Sequence, residues 1–279
     1  GAHAELNLSE ATIVAVPNTG VTRQAAIMLQ EEIAARAGVT LAITDEAQGS
    51  ASHIVLGTID TIDAQRHVAV PAKAESFGLK VIDNTVLLVG RDTRGAMMGA
   101  GRLIRLLNYT PGRVTLKLPK ALYELPDVPY RAHQLAYRNT ANTYDAWDIE
   151  TYEQYIRDLV LFGTNGIELI PSLDPDYKDG PVMRETMRSM NLKVAQVLKN
   201  YGLDVWLWSA VMADDVEDVT TPEGIKIALE KRRKLFAAYP TIDHFFVPGG
   251  DDGDTPAEYL MPFLAQLAPI LKEYHPKAK

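Results

Sequence analysis

The chain has 279 residues, 47% of them hydrophobic, with 28 basic against 36 acidic side chains and a net charge of −8. That is enough to bury the cores of about two ordinary domains, and the acidic balance with no basic stripe argues against a nucleic-acid partner. Cysteine is absent, which removes thiol catalysis, disulfides and thiolate metal sites, and no apolar run approaches membrane-spanning length.

The first residues, Gly1-Ala2-His3-Ala4, have the A-x-A form that signal-peptide removal leaves, so a periplasmic or secreted location is expected. Short β-rich runs follow at 12–17, 39–44 and 53–57, with Ala26, Leu29, Ile33 and Ala37 at helical spacing between the first two. Residues 78–92 hold two β runs around Asp83-Asn84, a pair that tolerates the left-handed angles of a hairpin turn. Residues 94–107 then carry Met97, Leu103, Leu106 and Leu107 on a second helix, completing a small α/β layer. The order GAMMGAG around Gly95, Gly99 and Gly101 is not a nucleotide fingerprint, and close packing of helix on sheet explains it better.

Residues 111–127 are proline-rich around one β run at 113–118, which puts the domain boundary at 127 and divides the chain into 1–127 and 128–279. Beyond it strands and helices alternate strictly. Strands are expected at 130–137, 166–171, 203–211 and 245–247, and helices at 149–162, 182–201, 222–238 and 257–274. Four βα units in succession imply a parallel sheet with right-handed crossovers. A closed (β/α)8 barrel takes about 250 residues, and the 152 residues of 128–279 supply half of one. The expected fold class is therefore α/β, a small α+β sandwich followed by a half (β/α)8 barrel of four units. Its open parallel edges imply self-association or packing against a missing half barrel.

The most informative stretch is 244–255, HFFVPGGDDGDT. A buried strand ends at Pro248, two glycines permit a sharp turn, and Asp251, Asp252 and Asp254 follow. Thr255-Pro256-Ala257-Glu258 then has capping-box form, so a helix is expected to start there. Carboxylates in a loop after a parallel strand stand where such folds place their chemistry, and two in one cleft can be driven to different pKa values. A solvated loop of cap residues reads equally well.

Other candidates surround it. Arg131 opens the first barrel strand, where its fork of donors suits either a ligand or a loop or carboxylate of the protein itself. Arg138 and Asn142 lie at that strand's far end, with Tyr144, Asp145 and Trp147 in the loop beyond, a mixture of hydrogen-bonding groups and flat apolar faces suited to sugars. Glu168 sits in mid-strand and is either a ligand contact or an ion-pair member. Trp206 and Trp208 share a face; Trp208, nearer the strand's end, could floor a sugar subsite, whereas Trp206 suits core packing. Asp214 and Asp215 read as a solvated loop and His244 as structural. No metal-ligand pattern and no cofactor loop is found.

Glu75-Ser76-Phe77-Gly78-Leu79-Lys80-Val81, the Asp83-Asn84 turn and Asp92-Thr93-Arg94-Gly95-Ala96 with Gly99 resemble the small non-catalytic domain that precedes the barrel in chitobiase-type β-N-acetylhexosaminidases. That domain also occurs in O-GlcNAcase-like and α-glucuronidase-like glycoside hydrolases. Gly249-Gly250-Asp251-Asp252 is similar to the G-G-D-E signature of hexosaminidases, with Asp in place of Glu, and to the Asp-Asp pair of O-GlcNAcase-like enzymes. Arg131 corresponds to an arginine that binds sugar hydroxyls in an Arg-Gly pair, here followed by Ala132, and the loop 171–179 lacks the lysine expected near Ser172. The resemblance implies a glycosidase acting on an N-acetylhexosaminide by substrate-assisted retention, with Asp251 orienting the acetamido group and Asp252 as general acid/base. Substrate contacts are expected from Arg131, Arg138, Asn142, Glu168, Trp208 and Asp254. The expected partner is a carbohydrate, with no nucleic acid, membrane, metal or cofactor. The alternative is a protein that binds a sugar without cleaving it.

Overall fold

The structure, a computed structural model, describes residues 5–49, 51–63, 68–139, 146–211, 217–249 and 253–279. The chain divides into two compact units. The first takes Gly1–Arg131 together with Tyr155–Asn165 and Asn200–Gly202, and the second takes Ala132–Gln154, Gly166–Lys199 and Leu203–Lys279.

In the first unit, strands β2 (Thr12–Val16), β3 (Ala42–Thr44), β4 (His53–Thr58), β5 (Phe77–Ile82), β6 (Thr85–Gly90) and β9 (Leu122–Glu124) form one sheet in the order β3-β2-β4-β6-β5-β9. The first four in that order run parallel, and β5 and β9 pair antiparallel. Burial explains why β4 and β6 are near-continuous apolar runs. Ile54, Leu56 and Leu88 are fully buried, and Val89 and Leu87 pack with Val68 and with Val55, Ile59 and Ile62, so both faces are covered. The expected hairpin is present, turning at Asp83 with a φ of 53°. Helix α1 (Gly20–Ala37) ends in Gly38, which takes the left-handed conformation and donates to the Ala34 carbonyl. Helix α2 (Thr93–Leu106) is capped by Asp92, whose carboxylate accepts from the Gly95 amide at 2.7 Å. A Cβ on Gly99 would meet Leu88 and Phe77 at 3.0 and 3.1 Å, so helix-on-sheet packing accounts for it. Gly101 instead lies against Val160 and Leu161, at the end of α3 (Ile149–Leu161). A second sheet, β1 (Leu6–Asn7), β8 (Arg113–Leu116) and β7 (Asn108–Thr110), is antiparallel; β1, β7 and β9 were not foreseen, being two or three residues long with no alternation to read.

The second unit is built on one parallel sheet in the order β10 (Ala132–Leu135), β11 (Gly166–Leu169), β12 (Asp204–Trp208) and β13 (His244–Phe246). It is the expected half barrel of four βα units. Leu135, Ile167, Leu169, Val205 and Leu207 point to one face and are buried, and Phe245 packs edge-on against Phe236 of α5 (Pro222–Ala238) with ring centroids 5.1 Å apart. Helices α5 and α6 (Ala257–Tyr274) begin where the sequence placed them. Helix α4 (Met187–Asn200) begins later than expected. The amides of Arg184 and Glu185 donate to the Tyr137 hydroxyl at 3.0 and 3.4 Å, holding 182–186 as a loop, although Met183 still enters the core. The capping box at Thr255 does not form either. The cap position of α6 falls on Pro256, and the buried Thr255 hydroxyl donates to the Val211 carbonyl at 2.7 Å instead. At the outer edge of β13, the Lys279 amide donates to the Asp243 carbonyl and the Phe245 amide to the Lys279 carbonyl, both at 2.9 Å, a parallel rung.

Candidate functional site

Side chains alternate across a strand, so the residues between the buried ones share the other face of the second unit's sheet. Strand register puts Gln134, Glu168, Trp206 and His244 in one row across all four strands, with Trp208 and Phe246 beside each other one step nearer the carboxyl ends. None is fully buried, and Phe246 is 48% exposed. A face that carries a carboxylate, an imidazole and two indoles, all partly open, is a lining rather than a packed core.

The row is held from within. Gln134 Nε2 donates to Glu168 Oε1 at 2.8 Å. Burial pushes the Glu168 carboxyl above the usual carboxylate range, and the bond from Gln134 partly offsets it. The Trp206 and His244 rings are tilted, with centroids 4.2 Å apart, and His244 Nε2 lies 3.5 Å from Asp204 Oδ2. That fits the structural role expected of His244. A Cβ on Gly166 would approach the Trp206 indole nitrogen at 3.0 Å, so glycine there leaves room for the indole.

Glu168 and Trp208 are thus brought onto one face, and the half-buried Arg138 follows β10 at the same, carboxyl end of the strands. Asp254 is exposed. Around it the chain is pinned: a Cβ on Gly253 would lie 3.0 Å from the Pro248 carbonyl and 3.6 Å from that of Val211, and Thr255 bonds Val211. Gly249 before the acids and Gly253 after them therefore both sit at the carboxyl ends of β12 and β13. Asp251, Asp252 and Asn142 lie outside the described residues, as do Tyr144, Asp145, Asp214 and Asp215.

Arg131 requires a correction. It precedes β10, at the amino end of the strand, and each of its three nitrogens donates within the protein: Nε to the Gly163 carbonyl and Nη1 to that of Val128, each at 2.7 Å, and Nη2 to Glu75 Oε1 at 2.9 Å. Asn165 adds to the cluster, accepting from the Arg131 amide and donating to Glu75. The arginine is a structural clamp, the other of its two sequence readings. Sequence reasoning missed Gln134, although its spacing from Ala132 and Ala136 marks it as sharing their face.

No protein-family model matches the chain, and no curated protein matches it. Solved structures do. A β-hexosaminidase variant from Streptomyces plicatus, in complex with its product GlcNAc, superposes with a TM-score of 0.72 at 14% identity, covering 97% of this chain and 61% of that one. A chitobiase from Flavobacterium johnsoniae gives 0.71 at 13% identity, covering 99% and 50%. A GH115 4-O-methyl-α-glucuronidase gives 0.66 at 16% identity, covering 97% and 41%. The chain spans about three fifths of the hexosaminidase's length and shares the fold of that part of these glycoside hydrolases.

Proposed function

We propose that this chain contributes the first half of the barrel of a glycoside hydrolase that acts from the chain end on an N-acetylhexosaminide. Asp252 is the general acid/base; Asp251 orients and polarises the acetamido group, whose oxygen attacks the anomeric carbon. Glu168, Trp208 and Arg138 contact the sugar, together with Asn142 and Asp254. Arg131 has no part in binding. One observation carries the reading: Gly253 and Thr255, next after the acids in sequence, lie against Pro248 and Val211 at the carboxyl ends of β13 and β12, on the sheet whose open face bears Glu168, Trp206 and Trp208. Parallel α/β folds assemble their sites at that end.

The test is hydrolysis of a nitrophenyl N-acetylhexosaminide by a protein carrying the full barrel, and its loss in Asp252→Asn. The second reading, sugar binding without cleavage, draws on the same row of aromatic and hydrogen-bonding groups, which grips a pyranose without the acids. Binding of N-acetylglucosamine with no turnover would favour it.

A further inference from the structure

Apart from the row just described, the second unit has a cleft lined by none of the residues assigned to the proposed reaction. It lies at the carboxyl ends of β10 and β11, between the start of α3 and the loop before α4, with a volume of about 630 Å³. That is within the range of roughly 300–1,000 Å³ typical of small-molecule sites.

One wall is aromatic. Trp147 packs on Tyr152 with centroids 5.1 Å apart, and Tyr152 meets Tyr137 edge-on at 6.4 Å. The two tyrosines are buried and fixed: Tyr152 donates to the Ala136 carbonyl at 2.9 Å, and the Tyr137 hydroxyl receives the Arg184 and Glu185 amides. Trp147 is half-buried and lines the cleft. Opposite stands the loop with Val182, 46% exposed.

The polar rim is charged on both signs but almost balanced. Lys193 pairs with Glu185 at 2.8 Å, and Arg184 is close enough to Asp148 to lower its carboxyl, after the larger effect of the Thr151 hydrogen bonds. Counting Glu150, three carboxylates face two cations among the described residues. An anion therefore meets a slight excess of negative charge, and Asp148 spends one oxygen on the Thr151 amide and hydroxyl. Interleaved donors and acceptors over a flat apolar ring match a molecule with hydroxyls at its edge and C–H groups on its face.

We propose that this cleft is a second, non-catalytic saccharide site that takes a neutral pyranose stacked on Trp147. It is independent of the hydrolase reading, because none of its groups belongs to the row of Glu168 and Trp208.

The test is titration of the protein with N-acetylglucosamine, glucuronate and glucosamine, read by amide chemical shifts. The neutral sugar is expected to shift the amides of 147–151 and 181–185, with glucuronate at least about tenfold weaker. Trp147→Ala should abolish these shifts, as should the exposed Arg184→Ala in weaker measure if the indole variant folds poorly. Trp208→Ala and Asp252→Asn should leave them intact, so failure of the hydrolase reading is read separately. Absence of shifts in these two segments at millimolar sugar, or tighter binding of either charged probe, overturns the proposal.

Discussion

Arg131→Met separates a clamp from a sugar ligand. The substitution removes three donors, leaves two carbonyls to find water and strips Glu75 of its cation. Breaking a fully buried ion pair costs about 3–5 kcal/mol, because a charge is stranded. Here the side chains are 22% and 11% exposed, and Asn165 Nδ2 stays 3.2 Å from both Glu75 oxygens, so the acid keeps some compensation. A loss of about 2–3 kcal/mol is expected. Glu75→Gln keeps an acceptor and should cost about 1–2 kcal/mol. The double variant should be less destabilised than the sum by about 1 kcal/mol or more, since the stranded charge is gone. Urea unfolding of the four proteins gives the cycle. Wild-type stability in Arg131→Met, together with loss of sugar binding, would refute the structural assignment and return Arg131 to the site.

Three further substitutions test the packing and the electrostatics. A Cβ on Gly95 would lie 2.3 Å from the Ser76 carbonyl, so Gly95→Ala should destabilise by about 2 kcal/mol or more, despite the roughly 1 kcal/mol that alanine gains in a helix; thermal melts decide. Thr255→Val deletes a buried donor to Val211 and should cost about 1–2 kcal/mol in urea unfolding, with reduced turnover because the chain after the acids is loosened. Glu168, whose carboxyl is raised by burial, binds its proton more tightly folded than unfolded. Its stabilising contribution is present below the unfolded pKa and is lost as pH rises through the folded value. Glu168→Gln should therefore match or exceed the parent in urea midpoint near neutrality, and that advantage should vanish in acid below about pH 4. An advantage that grows in acid would mean that a cation holds the carboxylate.

Much of this fold was legible because burial writes itself as periodicity. Strict alternation of β and α runs after residue 127 gave the four-stranded parallel sheet and its order, and α5 and α6 begin where their first residues predict. The start of α4 was not legible, because the Tyr137 hydroxyl that holds 184–185 out of the helix comes from 47 residues away. The capping box failed for a similar reason: Thr255 had a better, distant acceptor in Val211. Within the site, a period of two put Trp206 and Trp208 on one face, whereas setting Glu168 beside them, like the Gln134 bond, depends on register between strands. Arg131 shows the limit of motif transfer. The residue type and position resemble a sugar-binding arginine, but Glu75, a positive-φ residue in the first unit, claims its guanidinium.

The central claim, that a pair of acids beyond β13 cleaves a glycosidic bond, is tested most directly by the rate of nitrophenyl N-acetylglucosaminide hydrolysis in protein with a complete barrel. The parent should turn over, and Asp252→Asn should fall by roughly 100-fold or more while keeping its affinity for N-acetylglucosamine. Equal rates in the two proteins, or sugar binding without any hydrolysis in the parent, would contradict it.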